Sequence, residues 1–116
     1  IVGREQQTFE NGYDAMKQLL QKKKATACFV AENPMAQGVF KCLMDYKKRI
    51  PEEMAMICYD DFEWSQLTVP TISAIRQPMK EMGRKAAELL LKKIGDPDVQ
   101  CENIVLKSEF ILRESC

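Results

Sequence analysis

The sequence contains no histidine, and its charges of the two signs balance. Lys plus Arg and Asp plus Glu each number 17 in 116 residues, so the formal net charge at neutral pH is zero. Without histidine the chain lacks the commonest general base and the commonest zinc ligand. Binding to nucleic acid depends mainly on clustered Lys and Arg. The composition therefore argues against a nucleic-acid-binding surface, and catalysis at neutral pH would need residues other than histidine. We expect no enzymatic activity, no metal site and no cofactor.

Paired cysteines and long apolar runs are also missing. The 5 cysteines are scattered singly, and their number is odd. This pattern is typical of reduced thiols in a cytoplasmic protein rather than of a disulfide framework. The sequence shows no signal-peptide pattern and no run long enough to span a bilayer. It opens at Ile1 rather than at a methionine, as a fragment or a processed product would. We expect a cytoplasmic protein without a membrane partner.

The chain alternates helical and extended patterns over a length that suits one domain. Helical spacing predicts a helix from Tyr13 that ends in lysines 22–24, a second from Pro34 and a third over 79–94, with Asn11-Gly12 as a turn or helix-entry signal. Apolar runs predict short strands over 1–2, 26–31, 54–59, 72–75, 103–106 and 110–113. Strands that alternate with helices indicate a parallel sheet. The prediction is an α/β domain of three layers, built from a parallel sheet of about five or six strands and about three helices.

Polar side chains follow two of the predicted strands. Glu32 and Asn33 follow strand 26–31, and Asp60 and Asp61 follow strand 54–59. In an open parallel sheet, ligands bind just beyond the carboxyl ends of the strands. Carboxylates there suit polyhydroxy ligands such as sugars, because each accepts strong hydrogen bonds from hydroxyl groups. Asp60 is the leading candidate for a ligand contact, whereas Asn33 is either a contact or a helix N-cap.

Three assignments remain open at this level. Asp61 either contacts a ligand or forms the turn toward Phe62. Phe62 and Trp64 either stack on a sugar, join a protein interface or pack in the core. Paired aspartates at a strand end also hold Mg²⁺ in phosphoacceptor domains. That alternative would use Asp60 and Asp61 with Glu32 as a third acid, although no strand-end lysine is evident.

Five blocks of the sequence, in order, resemble the ligand-binding core of the LacI/GalR family of bacterial transcriptional regulators: residues 26–38, 50–61, 70–78, 82–83 and 112–116. The resemblance covers nearly the whole chain. It implies a periplasmic-binding-protein-like, Rossmann-type fold, in which two α/β subdomains clamp a small effector and a separate helix-turn-helix headpiece binds operator DNA.

The resemblance also assigns site residues. In the family, the aspartate that directly follows the strand contacts the effector, which implies that role for Asp60. A second family contact is the asparagine of an Asn-Asp pair, where this chain has Glu32-Asn33. The resemblance thus implies an acid, Glu32, at the contact position and a ligand that differs from the family's best-known sugars. Phe29 is implied as a wall of the pocket. We count Asp60, Glu32, Phe29 and Asn33 as the candidate ligand-binding residues.

Dimerisation is a further implication. The family dimerises through the helix after the Asn-Asp pair and the loop after the aspartates. The matching residues here, which would form a homodimer interface, are Gln37, Phe40, Lys41, Trp64, Leu67 and Thr68.

Residues 1–116 would then be the C-terminal portion of an effector-binding and dimerisation domain, with operator DNA bound only through the headpiece. The resemblance places the helix 79–94 in an N-terminal subdomain that this chain largely lacks. We expect this helix to fold back, swap or pair with a second chain, since each exposed Leu or Met forgoes about 1.5–3 kcal/mol of burial. Two alternatives are compatible with the resemblance. One is an extracytoplasmic sugar-binding protein of the same fold, and the other is a regulator that responds to a phosphoprotein partner instead of a sugar.

Overall fold

The computed structural model describes residues 6–22, 25–100 and 102–116. These residues form four helices and four strands, in the order α1 (Phe9–Gln21), β1 (Ala27–Val30), α2 (Asn33–Asp45), β2 (Ala55–Tyr59), α3 (Trp64–Leu67), β3 (Ser73–Arg76), α4 (Met79–Gly95) and β4 (Glu109–Ile111). The strand predicted at residues 1–2 lies outside the described residues. The short helix α3 occupies a segment that the sequence predicts as loop.

One sheet has the strand order β1-β2-β3-β4. β1 pairs with β2 in parallel, with Val30 opposite Cys58, and β2 pairs with β3 in parallel, with Tyr59 opposite Ile75. The predicted α/β class with a parallel sheet is therefore confirmed. The strand predicted at 103–106 is wrong, because the segment forms no ladder there and leaves Val105 86% exposed. Apolar and β-branched composition does not make a strand when no neighbouring strand is available to pair with it.

Helix α1 begins four residues earlier than the periodicity from Tyr13 predicts. Thr8 is its N-cap, and the Thr8 hydroxyl oxygen accepts a hydrogen bond from the Asn11 backbone N–H at 3.2 Å. The Asn11-Gly12 signal thus lies inside the helix, which corrects its interpretation as a turn or helix entry. Of the lysines predicted for the last turn, Lys22 is instead the C-cap, and lysines 23–24 lie outside the described residues.

Two glycines let α1 and α2 pack with their backbones in close contact. A Cβ atom at Gly12 would lie 2.2 Å from the backbone oxygen of Met35, and one at Gly38 would lie 1.9 Å from the backbone oxygen of Phe9. Each glycine therefore faces the backbone of the other helix. No other residue type fits at either position without moving the helices apart.

The core lies between this helix pair and one face of the sheet. Its largest fully buried side chains include Met16 of α1, Leu43 of α2 and Met56 of β2. The same face of the sheet contributes Val30 and Cys58. The opposite face is less covered, and Phe29 on β1 is 55% exposed there. The helices thus fix the sheet from one side and leave the strand ends accessible.

The residues that follow β4 bind to the sheet at the end opposite the accessible strand ends. The Ser115 side chain is fully buried: its hydroxyl donates to the Met56 carbonyl at 2.6 Å and accepts from the Ser73 N–H at 2.8 Å. The Met56 N–H in turn donates to the Ser115 carbonyl at 2.9 Å. Glu114 accepts from both the N–H and the hydroxyl of Thr71. These bonds hold the C-terminal segment against β2 and β3.

Residues 77–109 form a second compact unit, whereas the first unit combines the described part of residues 1–76 with residues 110–116. Within the second unit, α4 has no buried residue. Its exposed apolar side chains are Met79 at 64%, Met82 at 42%, Leu90 at 61%, Leu91 at 69% and Ile94 at 69% exposure. This is far more apolar surface than a single surface helix ordinarily shows to water.

Candidate functional site

The carboxyl ends of three parallel strands bring the predicted polar residues to one edge of the sheet. Glu32 and Asp60 each lie two residues beyond the paired residues Val30 and Cys58. Asp60 and Arg76 each lie one residue beyond the pair Tyr59–Ile75. Two acids and one guanidinium thus lie at the carboxyl ends of adjacent strands, which agrees with the edge predicted for Glu32 and Asp60. Arg76 is an addition that the sequence analysis did not single out.

Asp60 has an unusual backbone conformation. Its φ angle is 67°, in the left-handed region that non-glycine residues rarely adopt. Its N–H donates to the carbonyl of Ile75 at 2.9 Å, so the residue is tied to the neighbouring strand as the chain leaves β2. The side chain is half-buried at the strand-end edge. Such strained residues cluster at functional sites, which makes this the part of the edge most suggestive of binding.

Asp61 has a different role from Asp60. Its side chain is 1% exposed and forms ion pairs with two arginines, Arg76 at 2.6 Å and Arg113 at 2.7 Å. The Ser65 hydroxyl also donates to it at 3.1 Å. With both oxygens engaged by cations, this carboxylate is neither a ligand contact nor a magnesium ligand. The turn interpretation is nearer the structure but incomplete, because Asp61 joins α3, β3 and the C-terminal segment.

Electrostatics at Asp61 follow from the same contacts. Burial raises the pKa of the carboxyl, but the hydrogen bonds from Arg76 and Arg113 outweigh burial and leave the pKa below its ordinary value. Arg113 is itself held in place, since it donates to the Ile72 carbonyl at 2.6 Å. The sequence offered one signal for these partners: an acid that is buried just beyond the end of a strand requires a cation or several donors. It did not say which of the 17 basic residues would supply them.

Asn33 is not the N-cap of α2, which corrects that interpretation. Glu32 is the N-cap residue, without a side-chain capping bond, and Asn33 is the first helical residue. The Asn33 side-chain oxygen instead accepts a hydrogen bond from the Trp64 indole N–H at 2.6 Å. Trp64 also packs against Phe40, with ring centroids 6.2 Å apart. Asn33 therefore fixes α3 against α2, which a local pattern of cap residues does not reveal.

Phe29 and Glu32 line a cavity of about 530 Å³ beside β1. The rest of its lining is mainly apolar and comes from α1, β1 and α2, including Met16, Leu19 and Cys28. The Phe29 ring packs edge-on against Tyr59 with centroids 6.4 Å apart. Asp60 and Asn33 do not line this cavity. The structure thus places two of the four candidate ligand-binding residues, Phe29 and Glu32, in the lining of the cavity and the other two outside it.

The residues predicted for a dimer interface lie on α2 and around α3. Phe40 and Trp64 pack on each other, and Thr68 donates to the Ser65 carbonyl at 3.3 Å. Gln37 and Lys41 are exposed on α2. Leu67 is 82% exposed, and the neighbouring Val69 is 88% exposed. Because α2 contacts α3, these residues lie on one surface.

Three further features of the described residues concern metals, thiols and membranes. Among them, no group of three or more Cys, Asp and Glu side chains could hold a metal ion. Burial raises the pKa of the Cys28 and Cys58 thiols to about 12, which makes both poor nucleophiles at neutral pH. No helix that the structure describes is long and apolar enough to cross a membrane.

Comparison with known proteins identifies the family to which the chain belongs. The chain matches the periplasmic binding protein-like domain over residues 1–116 and belongs to that family. The ribose operon repressor of Haemophilus influenzae is 34% identical over 92% of this chain, and the repressor PurR of the same species is 36% identical over 91%. The chain spans about one third of the length of these relatives, 32% and 33% respectively.

Solved structures of related regulators agree with this family assignment. A LacI family transcriptional regulator from Enterococcus faecium with bound ribose has a TM-score of 0.85 and 31% identity, covering 99% of this chain and 42% of that one. The cellobiose complex of the regulator CelR has a TM-score of 0.86 and 30% identity, covering 95% of this chain and 34% of that one. The chain is therefore part of a LacI/GalR-type effector-binding domain, as its sequence blocks indicate.

Proposed function

We propose that this chain is the effector-sensing and dimerisation part of a cytoplasmic, LacI-type bacterial transcriptional regulator without enzymatic activity. Its effector would be a sugar or a related polyhydroxy molecule. Operator DNA would be bound only by a separate headpiece of the full-length regulator. The ribose and cellobiose bound by two structural relatives, and the repressor function of the curated relatives, support this proposal.

The observation that carries the proposal is the placement of Glu32 and Asp60 after adjacent parallel strands. Two carboxylates at one sheet edge can accept hydrogen bonds from several hydroxyl groups of one sugar ring, and such charge-assisted bonds are strong. The Phe29 and Tyr59 rings add apolar surface of the kind that ligand sites combine with a few polar groups. Asp60 is the proposed principal contact, and Glu32 is the second.

The proposed mechanism is a shift between two conformational states. In a two-lobed binding domain, an effector that contacts both lobes stabilises the arrangement for which it has the higher affinity. A dimer would transmit this preference to the DNA-binding heads by linkage between the two binding equilibria. In this scheme Asp60 contributes one side of the bridge.

A binding experiment on the full-length regulator tests the effector site. Ribose, cellobiose and a panel of other sugars are screened by the shift in thermal unfolding, and hits are titrated by calorimetry. We expect Asp60→Ala to weaken binding of the hit at least about tenfold, as the loss of a charge-assisted hydrogen bond of about 1.5–3 kcal/mol requires. Glu52→Ala is the matched control, since Glu52 is an exposed acid in the turn before β2. Unchanged affinity in Asp60→Ala would contradict the site.

The second part of the proposal is a homodimer formed through Gln37, Phe40, Lys41, Trp64, Leu67 and Thr68. The exposed Leu67 is the residue to change, because Phe40 and Trp64 also stabilise the fold. We expect Leu67→Asp to shift the full-length regulator from dimer to monomer in sedimentation velocity. Glu52→Lys is the control, since Glu52 is exposed in the same unit but lies outside these six residues. A dimer that withstands Leu67→Asp would place the interface elsewhere.

We further propose that α4 packs in the other subdomain of the full-length regulator. The support is its broad apolar face with no buried residue in this chain.

The phosphoacceptor alternative is not favoured. It needs both aspartates as Mg²⁺ ligands, and the Asp61 carboxylate is already held by two arginines.

A further inference from the structure

The backbone of Asp60 needs a physical explanation. Its φ of 67° is disfavoured for any residue with a Cβ atom, so surrounding contacts must hold it there. On one side, the Asp60 N–H is bonded to the carbonyl of Ile75. On the other side, the next residue is Asp61, which is one of the most firmly held side chains at this edge.

Four donor groups hold the Asp61 carboxylate. Oδ1 accepts from the Ser65 hydroxyl at 3.1 Å and lies 2.7 Å from Nη2 of Arg113. Oδ2 accepts from Nε of Arg76 at 3.1 Å and from Nη2 of Arg76 at 2.6 Å. Arg113 is anchored independently, because its Nη1 donates to the Ile72 carbonyl and to Ser65. The carboxylate is thus fixed relative to β3, α3 and the C-terminal segment together.

We propose that Asp61 is a positioning residue, which with Arg113 and Arg76 holds Asp60 in the left-handed conformation that presents it to the effector. This inference rests on the proposed function, in which Asp60 is the principal contact. When the anchor is lost, Asp60 relaxes toward the ordinary regions of backbone space. The apparent affinity then falls in proportion to the population of the competent conformation.

A purely stabilising role for Asp61 predicts something different. Loss of a buried ion pair would lower the stability of the fold, but the remaining folded molecules would bind effector with unchanged affinity. Moreover, the effect of removing the Asp61 side chain on effector binding would be the same whether or not the Asp60 side chain is present. A positioning role instead makes the two residues non-additive, because without the Asp60 side chain there is nothing to position.

The test measures ribose binding by calorimetry, with the full-length regulator, at a temperature where every variant is folded. We expect Asp61→Asn to weaken ribose binding about tenfold and to have no further effect in the Asp60→Ala background. Arg76→Gln serves as a milder variant should Asp61→Asn fail to fold, since Arg76 is 48% exposed and Arg113 remains. We expect it to weaken binding about threefold. Arg49→Gln is the control, because Arg49 is an exposed arginine in an ion pair with Glu53.

A second measurement does not depend on any ligand. Hydrogen exchange of the Asp60 amide reports its bond to Ile75, and we expect it to be about tenfold faster in Asp61→Asn and faster by a smaller factor in Arg76→Gln. The amide of Ala55, which bonds to the Thr26 carbonyl on the β1 side of β2, should keep its protection. Unchanged exchange at Asp60 in both variants would overturn the inference, as would additive effects of Asp60→Ala and Asp61→Asn on binding. If Asp60→Ala leaves ribose binding intact, the proposed effector site fails instead, and the exchange data alone decide whether Asp61 positions Asp60.

Discussion

The contact between α1 and α2 permits a sharp prediction for Gly38→Ala. The new Cβ atom would lie 1.9 Å from the Phe9 oxygen and 2.8 Å from the Tyr13 nitrogen, where ordinary contact begins at 3.4 Å. Both atoms belong to the backbone, so no side chain can rotate away. The helices must separate instead, and overpacking of this kind costs about 3 kcal/mol. Alanine recovers about 1 kcal/mol through its higher helix propensity. We expect a net loss of about 2 kcal/mol.

Urea unfolding of the 116-residue chain measures this loss, with the fluorescence of its 1 tryptophan as the probe. Trp64 is a suitable reporter because it bonds to Asn33 and packs on Phe40. Gly83→Ala is the matched control: it makes the same change inside α4, where a Cβ atom meets nothing within 4 Å. That variant should leave the unfolding free energy reported by Trp64 unchanged, because α4 lies in the second unit. If Gly38→Ala is as stable as Gly83→Ala, the close backbone packing of the two helices is wrong.

Three further predictions concern other parts of the chain. Ser115→Ala should destabilise the 116-residue chain by about 1–3 kcal/mol, measured by urea unfolding, because it leaves buried backbone groups of Met56 and Ser73 without their partner; wild-type stability would contradict this. Hydrogen bonds from Lys48 and Arg49 lower the pKa of Glu53 to about 2, so its stabilisation is complete above the ordinary pKa of about 4.3 and is lost as the pH falls toward 2. Glu53→Gln should therefore reduce the loss of stability between pH 5 and about pH 2 in acid titrations, and an unchanged profile would refute that ion pair. Finally, the 116-residue chain should self-associate through α4, as measured by sedimentation velocity. The double substitution Leu90→Gln and Ile94→Gln should reduce this association, since both side chains are more than half exposed. A wild-type chain that is a monodisperse monomer and binds no apolar dye would rule out this association.

Sequence periodicity predicted the elements whose burial repeats regularly. The start of helix α2 and the bounds of strands β1 to β3 lie within one residue of their predicted positions, because an apolar stripe or run directly reflects the face that is buried. Helix α1 was misplaced at its start, since its cap Thr8 precedes the first periodic residue. Residues 103–106 have the composition of a strand without a pairing partner, and composition alone carries no information about partners.

The candidate site was predictable only in part. That Asp60 lies at a strand end follows from a local pattern and from sheet topology. That Asp61 is bound by Arg113, 52 residues away in sequence, does not. The same applies to Asn33, whose bond to Trp64 competes successfully with a capping role that the local sequence favours. Long-range polar contacts depend on the assembled fold, so a single sequence gives the need for a partner but not its identity.

The C-terminal segment has a consequence for the order of events during synthesis. Residues 110–116, with Arg113 and Ser115, complete a unit whose other residues precede position 77, and the whole segment 77–109 is made in between. On the ribosome, β2 and β3 must therefore wait for residues 110–116 before their last hydrogen bonds can form. Contacts of such large sequence separation slow folding, and an incomplete sheet is prone to pairing with other chains. The nascent polypeptide is thus exposed to misassembly, and to chaperone binding, until residues 110–116 have emerged.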